Sequence, residues 1–285
     1  MSKGFTIHKL FVSLLLFAGL LPVFYFVSVE VGIAEAAAGL SGESQNAEAA
    51  EEDTSDRFVD NFSFGVGEKL KFDINYGFIN AGYATMEVKR LIEYESRPCY
   101  LIETTANSNS FFSTFYKVRD RIESVVDAMG MFSWRFEKNL REGGYSADRM
   151  YSFDQRNHFA HYKGDTLAVP PFTQDAISTL YYARTQPMEV GKSIYMSSFV
   201  DGEQYELEVR IIKRETISVK AGTFDCLVVE PMTNSVGVFK NEGRLTVWLT
   251  DDYLKMPVLM KSKILVGSIS AELTDYELGE IKDFQ

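Results

Sequence analysis

Histidine, cysteine and basic side chains are all scarce in this sequence of 285 residues: three His, two Cys, and 29 Lys plus Arg against 40 Asp plus Glu. Each shortage removes a class of function. A net charge of −11 excludes broad, phosphate-driven nucleic-acid binding, which needs clustered Lys and Arg. Of the histidines, His8 lies in an N-terminal apolar run, leaving His158 and His161. Three residues apart on a strand they point to opposite faces, so no metal site is expected. There is no Gly-x-Ser-x-Gly elbow and no Gly-rich phosphate loop before a helix, so the common hydrolase and nucleotide-binding signatures are missing and no cofactor is expected.

What remains is an address, a linker and a β-rich body. Lys3, His8 and Lys9 precede an apolar run from Leu10 to Val29, and Ala34-Glu35-Ala36 follows as a small-residue exit. This is the layout of a secretory signal peptide over 1–36. An uncleaved anchor in the inner membrane is the alternative, since about 20 apolar residues can span a bilayer. No Cys follows the run, so a lipid-modified N-terminus has no attachment point. Residues 37–60 are rich in Gly, Ser, Ala and acids, with Arg57 their only base. Such a composition buries too little apolar surface to offset chain entropy and predicts a disordered acidic tether.

From 61 to 285 the dominant period is two. Leu70, Phe72, Ile74, Tyr76 and Phe78 share one face while Lys69, Lys71, Asp73 and Asn75 share the other, the pattern of a half-buried strand. Similar runs recur to residue 276, punctuated by Gly143-Gly144, Gly164-Asp165, Asp201-Gly202, Ala221-Gly222 and Asp251-Asp252. Short strands on short turns predict one mainly β domain: a long antiparallel meander curled into a barrel or half-barrel. One amphipathic helix is expected at about 173–185, with Thr173 as N-cap and an Ile177, Leu180, Tyr181 stripe. The charged run Lys117–Glu123 is expected to pair across strands on a solvated face.

Two features invite functional readings. Asn107–Tyr116 alternates poorly and carries Phe111, Phe112, Phe115 and Tyr116 among small polar residues. As a loop at a barrel mouth, these side chains, with Trp134, are candidates to line an apolar ligand or touch a membrane. The competing readings are a lid folded back on the core and, for Trp134 and Trp248, core anchors. Cys99 and Cys226 are either a disulfide permitted by export or two buried thiols.

Several segments together resemble a known family: Gly67-Glu68-Lys69-Leu70 with Asn80–Val88, Val118–Ser124, Ala221–Cys226 and Leu245–Asp252. Their order is similar to that of the exported bacterial domain of unknown function 3108. The resemblance implies a secreted or periplasmic β-rich domain and supplies no catalytic residue. In architecture the chain also resembles periplasmic lipoprotein carriers (LolA/LolB-like). The reading is a non-enzymatic periplasmic protein binding an apolar or lipid-like ligand in envelope maintenance, touching membranes transiently. The alternatives are a scaffold for an envelope protein or, third, a cell-wall or polysaccharide hydrolase, whose mark would be two carboxylates converging on a cleft.

Overall fold

The computed structural model describes residues 57–233, 245–263 and 267–284. The expected signal peptide and nearly all of the tether lie outside them. In chain order the strands are β1 (Lys69–Tyr76), β2 (Ile79–Tyr94), β3 (Arg97–Ser108), β4 (Arg119–Asp127), β5 (Ser133–Glu142), β6 (Tyr145–Asp154), β7 (Phe159–Tyr162) and β8 (Asp165–Ala168). They continue with β9 (Ser193–Val200), β10 (Glu203–Val219), β11 (Gly222–Thr233), β12 (Leu245–Thr250), β13 (Pro257–Lys263) and β14 (Ser268–Glu277). A single turn of helix, α1 (Ser110–Ser113), follows β3, and α2 (Ser178–Thr185) precedes β9.

All fourteen strands form one antiparallel sheet in the order β8-β7-β6-β5-β4-β3-β2-β1-β14-β13-β12-β11-β10-β9. Every neighbour but β1–β14 is consecutive in sequence, as a meander requires. The tight hairpins have the residues their turns demand. Glu95-Ser96, Lys163-Gly164 and Asp201-Gly202 all take positive φ at both positions, the twist-matched geometry of two-residue loops. Phe78, expected on the inner face of the first strand, sits instead in the β1–β2 turn and is 97% exposed.

The sheet curls until its edges approach, although no ladder closes it. Thr173 and Gln174 bridge the gap in extended form. Gln174 exchanges backbone hydrogen bonds with Ser197 and Phe199 of β9, while Ser133 of β5 donates to the Thr173 carbonyl. Gln155 Nε2 donates to the carbonyls of both Ser133 and Thr173. Farther along, Asp201 in the β9–β10 turn accepts from Lys138, Arg149 and Tyr151 of β5 and β6. The helix therefore starts at Ser178 and not at 173, and Thr173 is not its cap: its hydroxyl donates to Pro170 O. Asp175 does that work, accepting from the amides of Ile177 and Ser178 and from the hydroxyls of Ser124 and Ser133.

The inner face is filled by the protein's own side chains. Leu70, Phe72, Tyr100, Ile102, Leu207, Leu227, Leu249, Ile269 and Leu273 form one buried cluster with Phe64 and with Ile177, Leu180 and Tyr181 of α2. Phe64 meets Tyr181 and Tyr100 edge-on at 4.7 and 5.4 Å. At this end Arg184 makes a bidentate bond to Glu68 at 2.6 and 2.7 Å, and donates to the carbonyls of Ser63 and Leu254. The chain ends cross here as well: Val66 and Glu280 pair, and a Cβ on Gly65 would lie 2.1 Å from Glu280 O, so only glycine allows the approach.

A smaller cluster of Cys99, Leu101, Val125, Phe132 and Trp134 lies on the opposite face of β3–β5. Arg57, within the span expected to be a tether, is fixed over it. Its guanidinium donates to Gly130 O and Met131 O and stacks 4.0 Å from the Phe172 ring. The Cys99–Cys226 disulfide does not form. Both are buried free thiols, on strands six places apart in the sheet, and burial pushes each up to about 12.

Candidate functional site

The strand directions place the β1–β2 turn, the β3–β4 connection 109–118 and the β5–β6 turn at one end of the curled sheet. The plug made by α2 and the chain ends occupies the other. The 109–118 connection is built on Asn109, whose side chain caps α1 by accepting from Phe112 N at 2.9 Å. Its amide groups reach across to β2, the backbone N–H donating to Ala81 O and Nδ2 to Asn80 O. Phe78 is two residues from Asn80, so one short turn of helix is tied beside the exposed hairpin.

The aromatic segment divides. Phe111 and Phe115 are 65% and 70% exposed and touch edge-on at 5.5 Å, and Phe112 meets Phe111 at 5.6 Å while packing against the main core. Tyr116 turns in and is buried with Val118 in a separate small cluster. Within this one segment, then, Phe111 and Phe115 are exposed and Tyr116 is buried. Trp134 is not with them. It lies at the far end of β5 on the other face, donating to Asp127 at 3.1 Å.

Basic side chains flank the exposed rings. Lys117 and Arg119 are exposed, and Arg119 donates to the carbonyls of Ser108 and Val118. Neither is ion-paired among the described residues. Exposed apolar side chains also occur at the plugged end, at Phe62, Tyr253 and Leu278, where acids outnumber bases in the nearby sequence: Asp60, Asp251, Asp252 and Glu280 against Lys255 and Lys282. The aromatic segment, 111–119, combines exposed rings with two basic side chains and has no acid within it.

Alternation along β4 splits the charged run in two. Arg121 faces out and joins a ladder with Glu103 and Glu123, which Lys89, Glu87 and Lys69 continue. Exposed pairs of this kind contribute about 0–1 kcal/mol each. Asp120 is the exception to the expected solvated face. It shares the phase of Val118 and Ile122, points inward and is 3% exposed. Its neighbour is Glu142, the last residue of β5, 7% exposed. Burial raises Asp120 to about 7, against the Arg141 amide bonded to it. Burial, then repulsion from Asp120, raises Glu142 to about 8. The same burial and the two acids push Tyr116 up to about 12. The phase shared with Val118 and Ile122 was the sequence signal for Asp120. Glu142, before a glycine turn, offered none.

The two carboxylates that meet at this end, Asp120 and Glu142, are both buried. His158 sits in the β6–β7 turn and His161 on β7 against Thr166, both far along the sheet from this pair. Among the described residues no three His, Cys, Asp or Glu converge on a metal-sized site. None of the described helices is long and apolar enough to cross a membrane.

A family model described as a protein of unknown function (DUF3108) matches residues 71–274. No curated protein matches. Among solved structures, a beta-barrel-like protein of domain of unknown function DUF1849 from Brucella abortus is similar at 10% identity, covering 76% of this chain and 100% of that one with a TM-score of 0.53. That likeness is one of fold alone. A candidate lipoprotein from Parabacteroides distasonis has a TM-score of 0.33 at 11% identity, covering 78% of this chain and 100% of its own. An exported-protein candidate with a YmcC-like fold from Bacteroides fragilis has 0.29 at 16% identity, covering 78% and 99%.

Proposed function

The chain belongs to this DUF3108 family of unknown function, and from that premise we propose that it is an exported, non-enzymatic protein that docks reversibly on an anionic lipid surface through its aromatic rim. The observation that carries the reading is the placing of Phe78, Phe111 and Phe115 on one end, 97%, 65% and 70% exposed, beside unpaired Lys117 and Arg119. Rings inserted at the headgroup boundary with cations beside them are the chemistry of interfacial anchoring. An acyl chain wholly inside the sheet fits less well, because the inner face is already packed by Phe64 and α2.

The magnitudes favour a visitor over a resident. Three phenylalanines at these exposures offer about 4–6 kcal/mol of burial, and two cations at an anionic surface about 1 kcal/mol each. That sum is comparable to a single acyl anchor, which binds marginally and comes off.

Flotation with vesicles of mixed zwitterionic and anionic phospholipid tests the proposal. The protein should float with vesicles containing about a third anionic lipid, and less so in high salt. Phe78→Ser, Phe111→Ser and Phe115→Ser combined should abolish flotation while leaving the far-ultraviolet spectrum unchanged. Failure of the unaltered protein to float, or equal flotation of the triple variant, would overturn it. A scaffold reading would use a sheet edge: β8, an outermost strand of four exposed residues, or β9, whose outer side Gln174 already covers near Ser197 and Phe199. An edge as short as β8 is the kind proteins use to discourage pairing.

A further inference from the structure

Two carboxyl groups face each other beneath the aromatic rim, and they touch the one connection that carries it. Asp120 Oδ1 accepts from the Arg141 amide at 2.8 Å, but Asp120 Oδ2 is buried without a donor from any ordinary side chain or amide. Its neighbour is the Glu142 carboxyl. Two ionised carboxylates have no hydrogen to share, so their contact is a hydrogen bond only when one of them holds a proton. The same residues form the foot of the connection. Val118 pairs with Glu142, Gly143 N donates to Lys117 O at 2.7 Å, and the Tyr116 ring lies where a Cβ on Gly143 would be, 2.6 Å from its nearest atom. On the other side, Val118 N donates to Ser108 Oγ and Ser108 N to Val118 O.

We infer that Asp120 and Glu142 act as a proton-sharing latch, which seats the segment Phe111–Val118 against the β5–β6 turn and releases it when both acids ionise. Its functional meaning, regulation of lipid docking, rests on the rim reading above. The charges facing the pair do not remove the need for the proton. Lys138 of β5 and Arg149 of β6 are bonded to Asp201, and the Arg141 guanidinium points to Asp148 at the surface. From β6, Tyr145 pairs with Glu142 in register, and from the connection comes Tyr116, neither a cation. From β3 the residues beside Asp120 are Ala106 and Ser108, which carry no charge. Double ionisation would place two adjacent negative charges in a buried site. The element that can move away from β5 is the connection, whose hold on the β5–β6 turn is the Gly143 N–Lys117 O bond and the Val118–Glu142 bridge, while Ser108 and Asn109 keep it tied to β3 and β2.

Amide hydrogen exchange, corrected for intrinsic rates, tests the latch directly. Protection at Tyr116, Val118 and Gly143 should fall at least tenfold between pH 6 and pH 9, while β4 and β14 amides hold. In Asp120→Asn with Glu142→Gln, protection at pH 9 should equal that at pH 6. Unchanged protection in the native protein, or equal loss in the variant, overturns the latch. Should the variant not fold, carboxyl carbon titration of the native protein decides: one of the two groups must titrate above pH 6, and ordinary values for both overturn it. Vesicle flotation at pH 6 and 9 separates the two ideas. Absence of binding at both values overturns the rim reading and leaves the latch to the exchange result. Binding that ignores pH, with exchange also unchanged, overturns the latch alone.

Discussion

Glu68→Gln exchanges one oxygen for an amide nitrogen and should cost about 3–5 kcal/mol, because it leaves a buried guanidinium without its counter-charge. Arg184 is 0% and Glu68 1% exposed, and two bonds of 2.6 and 2.7 Å join them. After the substitution one carboxamide oxygen can still accept, and the carbonyls of Ser63 and Leu254 remain. None of these carries a full negative charge. For a domain of this size the loss should lower Tm by roughly 10 °C. Urea unfolding followed by circular dichroism measures it, provided the transition stays two-state. The informative comparison is Glu68→Met with Arg184→Met. Removing both charges replaces a desolvated pair by apolar volume and should be far less harmful than either single change. A loss below about 1 kcal/mol for Glu68→Gln would refute the reasoning, as would a double variant as damaged as the two singles added. Either result would mean that water reaches the plug and that this end of the barrel is not sealed.

Three other outcomes follow from the same geometry. Asp120 and Glu142 hold protons in the folded state, at about 7 and about 8, that the unfolded chain releases near pH 4. Stability should therefore fall as pH rises from about 4 through 8 and level off above; treated as one coupled titration of some three units, the loss is about 4 kcal/mol. Glu142→Gln should flatten that slope, and chemical denaturation at pH 5 and 9 reads it. Asp175→Ala removes acceptors for two amides and two buried hydroxyls, and should cost about 2–4 kcal/mol, beyond a simple cap loss. The refutation is a change under 1 kcal/mol. The thiols of Cys99 and Cys226, buried and raised to about 12, should not react with a disulfide reagent at pH 8 until denaturant is added, when two should appear. Any stoichiometric reaction of the native protein would contradict their burial.

Two of the longest strands do not keep a clean period of two. In β10 a bulge between Ile211 and Lys213 leaves Ile212 unpaired and inverts the alternation. β2 has a bulge of the same kind at Val88/Arg90. A single inserted residue flips every later side chain to the other face, so the pattern breaks although the strand runs on. The helix start was misplaced for another reason. Thr173 has a good N-cap side chain, but its backbone is drawn into the seam between β5 and β9. Tertiary hydrogen bonding outweighed local preference.

Composition and alternation alone determined that this is one mainly β meander without the common catalytic signatures, and that its aromatics concentrate in 111–116. Those are properties of neighbours a few residues apart, which a chain displays in its own order. Tertiary structure decided the rest. It brought Glu68 to Arg184 and Asp120 to Glu142, turned Phe111 and Phe115 out while burying Tyr116, and kept Cys99 from Cys226. Each is a question of which distant side chains a curled sheet carries to the same end. Curl and closure depend on bulges and on the seam at Thr173 and Gln174, and no local pattern announces them.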